Sequence, residues 1–312
     1  NLKNLIMNND FNNVTVVITT FLSGRNLESC LKNIPDYFQK LIIDNANEKD
    51  KKEYFENKFK NLNYYLSPEN LGVPRSYSLA NKLVKTQYMF NTQPDVIIKK
   101  NCIETLIKKL PLYRNAIILS PTVFHNGDYH VDGDFKILKI RNKKFYDIKN
   151  LVFNSAHNYP PQGDFSVEAV TGTAMLIDRE KLQTINDWDK NIFNYFEDMD
   201  LCLRSRLKGY EIVKIREAEV DHKAFSSHSE KFDKELDFSR NWHYSWSRVY
   251  FKKKHENYYN AICWGFLQFL KSIIKFCVYF FLDKKKSVVH HAKLAGYLNS
   301  ILNRSPSFRP KF

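Results

Sequence analysis

VTVVITT, from Val14 to Thr20, decides the fold of this chain. It is a short β-branched run, and such runs are buried strands more often than helices. A helix is expected after it, near Asn26 to Ile34, stopped by Pro35. KLIID, Lys40 to Asp44, reads as a second apolar strand that ends in a carboxylate. Asp50 to Lys60 predicts a solvated helix. Asn63 to Leu66 predicts a third strand, followed by the turn residues Ser67, Pro68, Asn70 and Gly72. Ser76 to Lys85 predicts another helix and Tyr88 to Asn91 a fourth strand, which leads into Thr92-Gln93-Pro94-Asp95. Strands alternating with helices at this spacing predict a parallel α/β sheet with helices on both faces. Ligands of such sheets sit beyond the carboxyl ends of the strands. Asp44 and Asp95 both fall there, which points to a polar, cation-handling cleft.

Further along, Ile117 to Ser120 predicts a strand. A loop-rich stretch with Gly127, Gly133, Pro160, Pro161 and Gly163 reads as an insertion near the site. VTGTAMLID, Val170 to Asp178, returns to a strand pattern, and Glu197 to Leu207 has helical periodicity. In the last third, Asn260 to Leu270 and Phe276 to Leu282 are apolar but separated by Lys271 and Lys275. No uninterrupted run reaches the roughly 18 to 20 residues of a spanning helix. A helix lying in the membrane interface fits that pattern, as does an amphipathic helix packed on the main domain.

The 312 residues are 43% hydrophobic and 26% charged, a balance that excludes a disordered chain. The net charge of +14 favours anionic partners: nucleic acid, lipid headgroups or phosphorylated small molecules. Lys and Arg are dense after Arg240. The five cysteines are scattered and form no C-x-x-C pair, which argues against a disulfide framework or structural zinc and for reduced, cytosolic thiols. The first eleven residues are polar and contain no secretory signal.

The chemistry concentrates in NYFEDMDLCLR, Asn194 to Arg204. Glu197, Asp198 and Asp200 lie within four positions, after large aromatic residues and before an apolar helix face. An acidic first turn also satisfies the helix dipole. Acids crowded beside apolar walls, however, have raised pKa values, as a general base requires. Asp95, just past a strand end, is suited to Mg²⁺ or Mn²⁺. His222, in VDHKAFSSHS, sits among Ser and His residues that suit a site loop.

In order, VVITTF (16–21), IIDNAN (42–47), NLGV (70–73), QPDV (93–96), VTGTAMLI (170–177), FEDMDLCLR (196–204) and DHKAFSSHS (221–229) resemble the inverting family-2 glycosyltransferases of GT-A fold. The likeness looks closest to a bacterial rhamnosyltransferase-like branch that builds O-antigen and capsule. It implies an α/β, Rossmann-like, mostly parallel sheet flanked by helices, with a C-terminal helical, basic, amphipathic extension. Residues 1–255 would form the GT-A domain, with a nucleotide-binding half at about 12–110 and an acceptor half at about 165–255. Residues 256–312 would form a helical, membrane-surface segment.

The resemblance also implies roles. Thr19 and Thr20 would line the nucleotide pocket, and Asp44 would meet the pyrimidine. Asn70 and Gly72 would shape the neighbouring loop. Asp95 and His222 would hold the metal. Asp198 would be the catalytic base with Glu197 beside it, and Gly172 and Thr173 would border the sugar. Two departures from the family pattern stand out: Gln93-Pro94-Asp95 keeps one acid of the DXD-like motif, and Ser78 stands where an Asn is usual.

The implied reaction moves a sugar, first L-rhamnose from dTDP-rhamnose, to a hydroxyl of a cell-surface polysaccharide or lipid-linked glycan. UDP-galactofuranose or another UDP-hexose is the alternative donor. The enzyme would sit on the cytoplasmic face of the inner membrane, in contact with anionic lipid, and a homo-oligomer stays open. Arg240 to His255 mixes rings and bases, as single-strand nucleic-acid binders do. No helix-turn-helix, zinc-finger or RNA-recognition signature supports a specific nucleic-acid partner. A catalytically silent sugar-binding subunit is the third reading.

Overall fold

The computed structural model describes residues 11–129, 162–223 and 233–309. The loop-rich stretch from 130 to 161 and the 224–229 part of the His222 motif therefore lie outside the described residues. The strands are β1 (Val14–Thr20), β2 (Gln39–Asp44), β3 (Leu62–Leu66), β4 (Tyr88–Thr92), β5 (Val96–Ile98), β6 (Ala116–His125), β7 (Asp128–Tyr129), β8 (Phe165–Val167), β9 (Ala174–Asp178) and β10 (Glu211–His222). The helices are α1 (Gly24–Leu31), α2 (Lys49–Lys58), α3 (Gly72–Leu83), α4 (Cys102–Lys109), α5 (Arg179–Thr184), α6 (Glu197–Leu207), α7 (Asp233–His255), α8 (Tyr258–Leu282) and α9 (Lys284–Ile301).

One sheet runs β3-β2-β1-β4-β9-β6-β10-β5, with β7 beside β6 and β8 beside β10. The first four strands in that order are mutually parallel. β9 inserts antiparallel between β4 and β6, and β6 and β10 are again parallel. The long strands thus share a direction except for β9. The sheet is α/β with helices on both faces, as the alternation predicted, and mixed in its second half.

Alternation along each strand builds two cores. Val14, Val16 and Ile18 of β1 join Leu27, Phe55 and Leu106 on one face. Val17 of β1 and Ile43 of β2 join Tyr77, Trp188 and Leu201 on the other. Burying each such side chain contributes about 1.5–3 kcal/mol. The register Thr20↔Asp44 and Ile18↔Thr92 brings the carboxyl ends of β1, β2 and β4 to one edge.

Three boundaries differ from expectation. α3 starts at Gly72, four residues early: its Pro74 falls in the first turn, where a missing N–H costs nothing. Val170 to Thr173 is loop, and only Ala174 onward is strand. The two C-terminal apolar stretches form one 25-residue helix, α8, because Lys271 and Lys275 are good helix formers. By length and composition α8 is apolar enough to cross a bilayer, with a mean hydropathy of 1.5 over its most apolar window. That window is 11% buried. α7 braces both regions: Phe251 enters the sheet core, whereas Trp242 and Trp246 pack with Ala292 of α9.

Candidate active site

A cavity of about 270 Å³ opens at the carboxyl edge of the sheet. Thr19 and Thr20 end β1 and form one wall, and Asn45 follows β2. Gln93, Pro94 and Asp95 follow β4, and Asn70, Gly72 and Val73 lead into α3. Asn194 and Tyr195 approach α6, and Arg240 reaches in from α7. Residues as far apart in the chain as Thr19 and Arg240 therefore meet at one opening.

Gly72 has φ +71°, and a Cβ there would stand 2.3 Å from the Phe193 carbonyl oxygen. That carbonyl accepts the Val73 N–H at 2.9 Å, so the start of α3 is tied to the approach to α6. Glycine is required at this point by both conformation and space. Tyr195 and Phe196 also have positive φ, 67° and 66°. Such backbone costs about 1–3 kcal/mol per residue and persists only where packing imposes it. Here Tyr244 of α7 packs on both rings, and the Ser247 hydroxyl donates to the Asn194 carbonyl at 2.8 Å. The turn sets Asn194 and Tyr195 in the cavity wall and starts α6 at Glu197; Glu197, Asp198, Gly172, Thr173 and His222 are not among the residues that line the cavity.

Asp95 and His222 are 127 positions apart yet meet. β5 pairs antiparallel with the end of β10, and His222 lies opposite Val96. The Lys223 N–H donates to the Asp95 carbonyl, and His222 Nε2 stands 3.6 Å from Asp95 Oδ1. Both side chains are largely buried, at 14% and 6% exposure. Among the described residues no group of three or more His, Cys, Asp or Glu is arranged to hold a metal.

Asp198 is reached from Asp95 through backbone. Gln93 Nε2 donates to the Gly172 carbonyl at 3.5 Å, and the Gly172 N–H donates to Asp198 Oδ2 at 2.9 Å. Met199 N–H donates to Asp198 Oδ1 at 2.8 Å, so both carboxylate oxygens are aimed. Thr173 is buried behind Gly172, where its carbonyl accepts from Thr92. Beneath them the Tyr77 hydroxyl donates to the Thr92 carbonyl at 3.1 Å. Burial pushes the Tyr77 phenol up, and the charges of Glu197, Asp198 and Asp95 add to this.

The acids of α6 have separate surroundings. Glu197 is buried, and burial followed by the charge of Asp198 raises its carboxyl well above the usual range. Asp200 is fully buried on the far side of the turn. Burial alone would raise it, but the hydrogen bond from His255 and the charges of Arg204 and Lys254 hold it below the usual carboxylate range. Its partners stand at 2.8 Å (Arg204), 2.5 Å (Lys254) and 2.7 Å (His255).

One expectation needs correction. Asp44 does not face the cavity: it is fully buried and accepts the N–H groups of Ala46 and Glu48. It shapes the turn into α2, and its neighbour Asn45 lines the wall instead, gripping the Leu71 N–H. Ser78 is likewise internal, donating to Asp187. The contributions of Tyr77 and Arg240 escaped the sequence reading. Tyr77 carried no local signal, and Arg240 stood in a basic, aromatic stretch that had several meanings.

The model of glycosyl transferase family 2 matches residues 15–171, half of the chain. Among solved structures, GalNAc-T7 with UDP, GalNAc and Mn²⁺ is similar at 13% identity and TM-score 0.51. The match covers 73% of this chain and 50% of that one, so the chain spans about half that protein's length. The mannosyltransferase PcManGT from Pyrobaculum calidifontis, in complex with GDP-Man and Mn²⁺, is similar at 12% identity and TM-score 0.53. There the match covers 94% of this chain and 88% of that one. No curated protein matches the chain. At such identities the structural likeness is one of fold, the GT-A fold that the motifs anticipated. The family match begins at β1 and runs through Asp95 to the loop that holds Asp198: the chain belongs to glycosyl transferase family 2.

Proposed function

We propose that the chain transfers a sugar from a nucleoside-diphosphate donor to an acceptor hydroxyl in one inverting displacement, with Asp198 as the general base. The observation that supports this reading is the chain of contacts that leads from Asp95 and Gln93, which line the cavity, through Gly172 to Asp198. The donor would lie over Thr19, Thr20, Asn45 and Asn70, with its sugar bordered by Gly172 and Thr173. The acceptor would enter beside Glu197, from the side of the acceptor half.

Asp95 and His222 would hold a divalent cation, Mg²⁺ or Mn²⁺. A carboxylate oxygen and an imidazole nitrogen 3.6 Å apart suit one ion between them, and both solved relatives above carry Mn²⁺. When bound, the ion supplies neutralising charge for the leaving diphosphate. The remaining coordination would fall to diphosphate oxygens and water. Arg240 adds a second positive charge at the opening, which suits the same diphosphate.

Asp198, aimed by two N–H donors, takes the acceptor proton as the hydroxyl oxygen attacks the anomeric carbon and the nucleotide leaves from the opposite face. General-base assistance is about 10²- to 10⁴-fold. dTDP-rhamnose is the first donor to try, then UDP-galactofuranose and other UDP-hexoses, with a cell-envelope polysaccharide or lipid-linked glycan as acceptor. The exposed face of α8 would rest on the anionic, cytoplasmic side of a membrane rather than cross it, since Lys271 and Lys275 stand at mid-helix.

Nucleoside-diphosphate release from that donor panel tests the proposal. Release with one donor, lost on EDTA and restored by Mn²⁺, is expected. No release from any donor, or full release after thorough chelation, would contradict it.

A further inference from the structure

From Phe238 to Phe312 the sequence carries fourteen Lys and Arg but two acids, Glu256 and Asp283. This stretch accounts for nearly all of the chain's +14 charge. Both acids are taken locally, Glu256 by Lys252 at 2.8 Å and Asp283 by Lys286 at 3.4 Å. Where α8 and α9 meet, the His290 ring stacks on Tyr279 at 5.5 Å, one turn from Lys275, and Lys293 follows His290 by one turn. Burial, then Lys275 and Arg248, push the Lys293 ammonium down, and burial, then Lys293 and Lys275, do the same to His290. The Arg248 guanidinium lies 4.6 Å from the centre of the Trp264 ring, on α8. No acid stands on α7 after Asp237, or anywhere on α8 or α9. Like charges gathered this way repel, and an anion relieves that cost.

An apolar stripe lies beside them. Leu267, Leu270, Ile274, Val278 and Phe281 recur every three or four positions along α8, with Phe266 beside Leu267, and each is 39–86% exposed. At about 1.5 Å per residue the stripe runs roughly 22 Å, with Lys275 on its edge. A contiguous apolar face bordered by a cation cluster has the chemistry of a lipid: hydrocarbon along the stripe and phosphate among the cations.

We infer that Lys275, His290 and Lys293 form a site for the phosphate of a membrane lipid whose hydrocarbon lies against the exposed stripe of α8. This rests on the membrane-surface reading above. It adds to that reading a defined headgroup site in place of diffuse attraction.

Co-sedimentation with vesicles of about one phosphatidylglycerol to four phosphatidylcholine tests it. Lys275→Gln/Lys293→Gln should weaken binding about tenfold or more, and the charge-matched Lys284→Gln/Lys285→Gln about threefold. Equal losses in the two doubles would overturn the site. The first double should melt at or above the wild type, because it removes two crowded like charges, so its loss is not unfolding. Dihexanoyl phosphatidic acid, a soluble lipid phosphate, should raise the wild-type melting temperature more than inorganic phosphate does. An equal shift from inorganic phosphate would mark a free-anion site, and a stable lipid-free dimer that covers the stripe would mark a protein partner. Either result overturns the inference. A nucleotide-sugar melt on the wild type reads the transferase proposal separately.

Discussion

The two sides of the first turn of α6 show opposite uses of the same residue type. On one side, Asp198 is half-buried and accepts the backbone N–H groups of Gly172 and Met199. On the back, two residues on, Asp200 is fully buried within an Arg204, Lys254 and His255 network. Backbone donors aim a carboxylate and leave it able to accept a proton. Two cations and a histidine fix one as an anchor, here between α6 and the end of α7. The cluster Glu197-Asp198-x-Asp200 is thus one carboxylate aimed by backbone donors, which we propose as the base, one buried neighbour and one structural tie.

The sharpest way to break that contrast is Asp198→Asn. It should lower turnover about 10²- to 10⁴-fold in a nucleotide-release assay while leaving donor affinity and melting temperature near wild type. Turnover within a few-fold of wild type would remove Asp198 from the base role. Asp200→Ala should do the reverse: it leaves buried cations without their partner and costs about 3–5 kcal/mol of stability, read by urea unfolding. The folded enzyme should keep the wild-type KM for the donor.

Gly72→Ala should cost about 3 kcal/mol or more, since it combines a left-handed backbone with a clash against the Phe193 carbonyl. It should also damage donor binding, because α3 and the approach to α6 are joined at that point. Arg240→Ala should raise the donor KM about tenfold with a smaller change in kcat, as expected when a charged hydrogen bond to the diphosphate is lost.

The smallest effect concerns Glu197. Its carboxyl is raised in the folded chain, so its contribution to stability is complete below its ordinary value of 4.5 and is lost as pH rises toward the folded value. Glu197→Gln should therefore melt increasingly above the wild type as pH is raised from about 5 to about 9. A difference that stays constant with pH would show that burial does not act on this carboxyl.

The parallel half of the sheet was legible because VTVVITT, KLIID and YMFN leave little choice but buried strands, and the turns between them are marked by Gly, Pro and Asn. The start of α3 was misread because Gly72 and Pro74 signal a turn in isolation, whereas tertiary contact with Phe193 fixes that glycine at a helix start. The pairing of Asp95 with His222 was anticipated from the resemblance, but the antiparallel β5–β10 ladder that produces it has no signature in a three-residue strand. Asp44 shows the opposite failure. Its position at a strand end is that of a ligand residue, and its two backbone hydrogen bonds show it to be a turn former. A sequence records which acids lie together, whereas the donors around each acid come from segments distant in the chain.

The central claim is that Asp95, His222 and Asp198 serve one nucleotide-sugar site. Thermal melts of the wild type and Asp95→Asn with each nucleotide sugar, in Mn²⁺ and in EDTA, test it most directly. One donor should stabilise the wild type in Mn²⁺ by about 2.7 kcal/mol at a hundredfold excess over its dissociation constant, and both EDTA and Asp95→Asn should abolish most of that gain. An equal gain in EDTA, an equal gain in the variant, or no gain with any donor would contradict it.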